Sequence, residues 1–326
     1  MRLETESDAT SWIWGAKALA VVAAWNGLGL FERLREGPVR RSELGVDPRA
    51  LATTIPVLLH TGLVATDGEV LRLTHSGARL LEKGELPSER NLDLLRDLGR
   101  MKEVIQNGGP ARDDSGKSKA TQGGTRADDL AHTERFLDYL YQMSEGAALT
   151  TLEWLSPLLA QHARVLDVGG GHGRYARAFA DAGHPTTLFD LPHVVDLAKK
   201  RHGDALSYIA GDFHEARSFG GPYDLILLCN IAHSESAEAN ASLVSRLAGV
   251  LMPGGHLVLK DMFLDEIGAE PANAVFFGLT MLFYTEHGQS PVLDRAKQWL
   301  LDAGLAKPRV TLLDTQALLI GEKPLV

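Results

Sequence analysis

Residues whose type and spacing suit them to chemistry concentrate in the C-terminal half of the chain. The stretch VLDVGGGHG (165–173) sets Asp167 ahead of glycines at 169, 170, 171 and 173, between a β-branched run and a helix-forming segment. A strand-to-helix turn stripped of side chains lets backbone approach a bound group closely. The next apolar run ends in LFD, with Asp190 lying 23 positions after Asp167. A carboxylate there can accept from both hydroxyls of a ribose. A third run closes in GDF (211–213). Asp212 can accept from an adenine amino group and Phe213 can cover the ring, although taken singly a helix cap and a core aromatic are the better explanation.

Two cofactors compete for this geometry. A dinucleotide fingerprint counted from Gly169 needs a small residue at 174, where Arg174 stands. S-adenosylmethionine carries no pyrophosphate, and a D-x-G-x-G-x-G loop of Asp167, Gly169, Gly171 and Gly173 suits its methionine part. Three strand ends in order, bearing glycines, Asp190 and Asp212, favour S-adenosylmethionine.

The elements that must position these residues follow from periodicity. From residue 164 strand-like and helix-like segments alternate: Arg164–Val168, Thr186–Phe189, Leu206–Ala210, Tyr223–Cys229, His256–Asp261, then strands near Arg309–Leu312 and Ala317–Gly321. Such alternation predicts an α/β doubly wound sheet that binds ligands at the carboxyl ends of its strands. A helical stretch over Thr133–Leu159 leads into it.

Upstream, residues 12–36 place apolar side chains at helical spacing. A short helix from Ser42, a second to about His60, and strands Leu63–Thr66 and Val70–Leu73 turning at Asp67-Gly68 make a winged-helix pattern. The expected domains are therefore an N-terminal helical and winged-helix domain (1–106), a flexible linker (107–128) rich in Gly, Ser, Asp and Lys, and a cofactor-binding domain (129–326).

Composition narrows the partners. Lys+Arg 33 against Asp+Glu 42 gives a net charge of −9, the wrong sign for affinity built on phosphates, and the second winged-helix helix carries only Arg49 as a fixed positive charge. Nucleic acid is not expected as a partner, although the winged helix keeps a ligand-responsive DNA-binding protein as the rival from another class. One cysteine, Cys229, fits a reducing compartment, no apolar run near the N-terminus reaches the roughly 20 residues of a bilayer span, and MRLETESDAT lacks a basic leader region. The expectation is a cytoplasmic protein with no membrane partner. No histidine pair with a supporting acid has metal-ligand spacing, so no metal is expected.

With these motifs in place, the chain resembles the homodimeric small-molecule O-methyltransferases of the acetylserotonin and caffeic-acid type, including bacterial natural-product tailoring enzymes. The resemblance rests on VLDVGGGHG, FDLPHVV (189–195), GDF, LMPGGHLVLKD (251–261) and DAGL (302–305), and covers nearly the whole chain. It implies a class I methyltransferase fold, S-adenosylmethionine as cofactor and a homodimer formed through the N-terminal domain. It also implies that Asp190 holds the ribose, Asp212 and Phe213 the adenine, His233 is the general base, and Asp261 orients it.

A phenol of pKa near ~10 is a poor nucleophile at neutral pH, and a histidine of pKa about 6.5 can take its proton during attack. The sequence departs from the family around this histidine. Ser234 and Glu235 replace a common Asp-Trp, HGQSP replaces a segment with a second carboxylate, leaving Ser290 and Pro291 as an expected helix cap and first turn, and Cys229 replaces a lysine near the cofactor, with Asn230 beside it as a candidate contact. The matching acceptor stretches supply Tyr139, Met143, Phe276, Phe277, Met281 and Tyr284 for an apolar slot, against a reading as plain core. Trp12 and Trp14 suit either a partner's pocket or dimer packing. Nothing in the residues names the nucleophile. C- or N-methyl transfer, and use of the cofactor in decarboxylation, hydroxylation or cyclisation, therefore stay open beside O-methylation.

Overall fold

Apolar spacing in the first hundred residues folds into helices around one short sheet. The computed structural model describes residues 6–119, 124–216 and 218–325, and the chain divides into two units, Met1–Lys102 and Glu103–Val326. The first contains α1 (Glu6–Gly27), α2 (Leu30–Glu36), β1 (Val39–Arg40), α3 (Pro48–His60), β2 (Val64–Asp67), β3 (Val70–Leu73), α4 (His75–Glu82) and α5 (Glu89–Leu98). Its strands pair antiparallel in the order β1-β3-β2, and Trp25, Phe31, Ile55, Leu58 and Leu71 are buried in its core. Asp47 caps α3 by accepting from the Ala50 N–H at 2.9 Å, and Pro48 opens the helix. The beginning of α1 stays exposed, including Trp12, Ile13 and Trp14.

Two local expectations shift here. The helix expected from Ser42 is a single 3₁₀ turn over Arg41–Glu43. Arg33 donates to the carbonyls of Glu43 and Leu44, and the Glu43 carboxylate turns back to the Arg40 N–H, so the next helical turn has lost its acceptors. In the hairpin Asp67 pairs with Val70, so the connecting dipeptide is Gly68-Glu69, with Gly68 at φ 59°.

Helix α6 (Met101–Asn107) spans the boundary between the units. The stretch after it, expected as a flexible linker, is instead tied down over 108–119. Ala111 is buried, its N–H donates to the Phe283 carbonyl at 3.0 Å, and Asp113 Oδ1 accepts from the Ser115 and Lys117 amides. Residues 120–123 of that stretch lie outside the described residues. The single helix expected over 133–159 is two, α7 (Leu130–Met143) and α8 (Glu145–Leu155). They break at Ser144, whose hydroxyl donates back to the Leu140 carbonyl at 2.7 Å.

The second unit then alternates β4 (Val165–Val168), α9 (Arg174–Asp181), β5 (Thr186–Asp190), α10 (Pro192–His202), β6 (Ser207–Ala210), β7 (Tyr223–Cys229), α11 (Ala237–Gly249) and β8 (Leu251–Asp261). It closes with α12 (Ala272–Tyr284), α13 (Leu293–Asp302), β9 (Ala306–Leu312) and β10 (Ala317–Glu322). The seven strands lie in the order β6-β5-β4-β7-β8-β10-β9. The first five in that order run parallel, while β10 pairs antiparallel with both β8 and β9. Side chains alternate across the sheet. Leu225, Leu227 and Val258 pack with Tyr175 and Phe179 of α9, whereas Ile226, Leu257 and Leu259 pack with Leu243 of α11 and Trp299 of α13. The outermost strand, β9, carries Lys307 at φ 50° followed by Pro308. No single helix among the described residues is long and apolar enough to cross a bilayer.

Candidate active site

The carboxyl ends of β4, β5, β6 and β7 bring the glycine loop, Asp190, Asp212, Phe213 and Asn230 to one edge of the sheet. Gly169, Gly171 and Gly173 all take positive φ (65°, 51° and 74°), a region that side chains disfavour. A Cβ on Gly169 would stand 2.4 Å from Ile231 Cδ1, and one on Gly173 would stand 2.7 Å from His202 Nε2. At Gly169 and Gly173 the loop is thus confined by neighbouring side chains, and positive φ adds backbone strain to any substitution at all three. His172 accepts the Arg174 N–H through Nδ1 at 3.0 Å, so this imidazole caps α9 in its neutral form; burial, aided by Arg201 and Arg174, lowers its pKa to about 4. Arg174 leaves the cofactor side altogether: its guanidinium donates to the Tyr141 carbonyl and lies 3.5 Å from the centroid of the Tyr141 ring.

The carboxylates are oriented by backbone. Asp167 is buried and accepts the Ala176 N–H at 3.2 Å, tying β4 to the first turn of α9. Asp190 accepts from Gly171 N–H at 2.8 Å through one oxygen and from Leu191 N–H at 2.7 Å through the other. A carboxylate has about four acceptor positions, so each oxygen keeps capacity for a ribose hydroxyl. Burial raises the pKa of Asp190, opposed by these two amides. Asp212 Oδ1 accepts the His214 N–H at 2.8 Å, a local turn rather than a helix cap, and Phe213 packs beside Ile231 next to Gly169. Backbone cradle, ribose-side carboxylate and apolar wall fit an adenosyl sulfonium with an amino-acid tail.

His233 sits in a 3₁₀ turn, Ala232–Ser234, just beyond β7. Asp261 Oδ1 accepts from His233 Nδ1 at 2.8 Å and Asp261 Oδ2 accepts from the His233 backbone N–H at 3.1 Å. A carboxylate only accepts, so Nδ1 carries the proton and Nε2 holds the lone pair. Asn240 fixes the same turn by donating to the Ala232 carbonyl at 2.8 Å. Phe277 meets the imidazole edge to face, with ring centroids 4.8 Å apart. Helical spacing puts Phe277, Met281 and Tyr284 on one face of α12, all half-buried, and Phe276 on another, exposed. Tyr139 and Met143 lie one turn apart on α7 and are 44% and 66% exposed, so none of the six acceptor-side residues is plain core.

Two departures from the family acquire a physical account. Ser290, in place of the second carboxylate, is buried and donates to the Ala274 carbonyl at 2.6 Å, fastening α12. It is therefore not the expected helix cap, since Val292 precedes α13. Asn230, read as a cofactor contact, spends its side chain inward: Oδ1 accepts from Gln316 Nε2 at 2.5 Å. Sequence reading missed Lys260, Gln316 and Tyr175. A lysine inside the apolar run HLVLKD was the available signal.

Comparison with known proteins identifies the family. The O-methyltransferase domain family model matches residues 104–304. Over 325 residues the chain is 25% identical to the tetracenomycin polyketide synthesis 8-O-methyl transferase TcmO of Streptomyces glaucescens, covering 91% of each chain. A shorter match, 31% over 185 residues, to demethylspheroidene O-methyltransferase of Rhodobacter capsulatus covers 55% of this chain and 45% of that relative. The fold is shared with an O-methyltransferase family protein of Burkholderia thailandensis at a TM-score of 0.80, 22% identity and 99% coverage of both chains. The chain belongs to the O-methyltransferase family and is an S-adenosylmethionine-dependent methyltransferase.

Proposed function

We propose that the protein transfers a methyl group to a hydroxyl of an aromatic or polyketide-like small molecule, with His233 as general base. The observation that carries the proposal is the bond from His233 Nδ1 to Asp261 at 2.8 Å. It holds Nε2 as the acceptor for the substrate hydroxyl proton. When bound, S-adenosylmethionine supplies an electrophilic methyl group on sulfur. Asp167 and the glycine backbone would hold its methionine part, Asp190 its ribose, and Asp212 with Phe213 its adenine. His233 takes the hydroxyl proton as the oxygen is alkylated, and Asp261 stabilises the imidazolium that results. Phe277, Met281 and Tyr284, with Tyr139 and Met143, supply apolar surface for a flat ring, so orientation of the acceptor carries much of the rate.

The N-terminal unit is read as a winged-helix dimerisation module, supported by the exposed Trp12, Ile13 and Trp14. The buried single cysteine suits a reducing cytoplasm.

The test is a panel of phenols, catechol and 1-naphthol among them, incubated with enzyme and S-adenosylmethionine and scored for a mass gain of one CH₂. His233→Gln is expected to lower kcat about 10²- to 10⁴-fold with binding of S-adenosylhomocysteine retained. Full turnover by the variant at neutral pH removes His233 from this role.

A further inference from the structure

We infer that Lys260 and Gln316 are positioning residues for His233: they clamp one end of the Asn230–His233 turn while Asp261 clamps the other. The inference rests on the reading of His233 as the base. Lys260 and Asp261 are consecutive at the end of β8, so their side chains leave opposite faces of the sheet, and both are fully buried. Asp261 reaches the His233 backbone and ring. Lys260 reaches the other end of the same turn through one intermediary. Its ammonium donates to Gln316 Oε1, and Gln316 Nε2 donates to Asn230 Oδ1. The backbone closes the ring, because the Asn230 N–H donates to the Lys260 carbonyl at 2.8 Å.

Asn230 needs such a hold. It leaves β7 at φ 59°, a left-handed conformation in which Asn is tolerated better than most residues yet still strained. That corner turns the chain toward His233. Gln316 is an adaptor with both ends of its amide committed, one to a cation and one to the corner. A buried ammonium is expensive unless it is hydrogen-bonded, and the partners here are a neutral amide and the Tyr175 ring, 5.3 Å from Nζ. Burial accordingly lowers the Lys260 pKa. An apolar side chain would fill this position at less cost, which favours a role in fixing geometry over one in stability.

The experiment follows exchange of the His233 Nδ1 proton and the 230–234 amides with solvent by NMR, in the full chain, with the signal assigned through His233→Gln. Gln316→Leu removes both bonds. Gln316→Glu still accepts from Lys260 but cannot donate to Asn230. Both variants are expected to exchange at least about tenfold faster than wild type, and Lys260→Met to fall between. Gln316 is half-buried and precedes β10, so these variants are expected to stay folded; Ile320→Val, within β10, supplies a control for lost stability. Wild-type exchange in both Gln316 variants overturns the clamp. So does equal acceleration in an Ile320→Val control of matched melting temperature. Calorimetry of wild type with S-adenosylhomocysteine tests the underlying reading separately: no binding defeats the active-site assignment whatever the exchange rates are.

Discussion

Asp167 is buried beneath the glycine loop with one backbone donor, and burial, opposed by the Ala176 amide and assisted by the nearby Asp190 charge, lifts its pKa from 3.8 to about 7. The folded state therefore holds a proton that the unfolded chain releases at lower pH. Stabilisation from this group is complete below about pH 4 and is lost as pH rises through about 7, with a slope of up to ~1.4 kcal/mol per pH unit in between. Asp167→Asn keeps an acceptor for the Ala176 amide and cannot ionise. Urea unfolding at about pH 5 and pH 7.5 should show the wild type losing more stability between the two than the variant, and parallel behaviour refutes the buried-proton account. The positions of Asp167 and Asp190 were legible at this scale because motif order fixes which strand end each occupies, whereas His233 came from the family resemblance. Lys260, Gln316 and Ser290 were not legible. Their bonds run to residues 56, 86 and 16 positions away, a relation that spacing cannot express.

The glycine loop is the element on which the proposed binding rests. Gly169→Ala must hold φ 65° with a Cβ only 2.4 Å from Ile231 Cδ1, which costs roughly 1–2 kcal/mol in backbone strain before Ile231 moves. Thermal unfolding should fall accordingly, and calorimetric affinity for S-adenosylhomocysteine should drop about tenfold or more. Retained affinity would mean that the backbone of this loop does not contact the ligand. All seven strands of the C-terminal sheet were readable from alternation, most of them as β-branched or leucine runs such as VLDV and YDLILLC, whereas SYIA and AKPRVTL gave weaker signals. Helix continuity was less so. The break at Ser144 depends on one hydroxyl returning to the Leu140 carbonyl, and the collapse of the helix at Ser42 depends on Arg33, which comes from another element. The 108–119 stretch misled for the same reason: its polar composition suggested freedom, whereas its anchors, Ala111 on Phe283 and the turn gathered by Asp113, are contacts rather than composition.

At the scale of the molecule, the exposed indole and isoleucine side chains of α1 are the surface on which the proposed dimer rests. Trp12, Ile13 and Trp14 are 42%, 59% and 62% exposed, a cluster that favours association through the N-terminal unit. Sedimentation of the wild type is expected to give a dimer at micromolar concentration, and Trp12→Glu combined with Trp14→Glu to give a folded monomer. A monomeric wild type defeats the proposed dimer.

The last strand in the sheet order, β9, bears on the same question from the opposite side. Pro308 has no N–H to offer, Lys307 bends the backbone out of register, and Arg309 adds a second cation to the rim. Such a border is a poor template for another chain. Copies of this enzyme are thereby discouraged from zippering strand to strand along that margin.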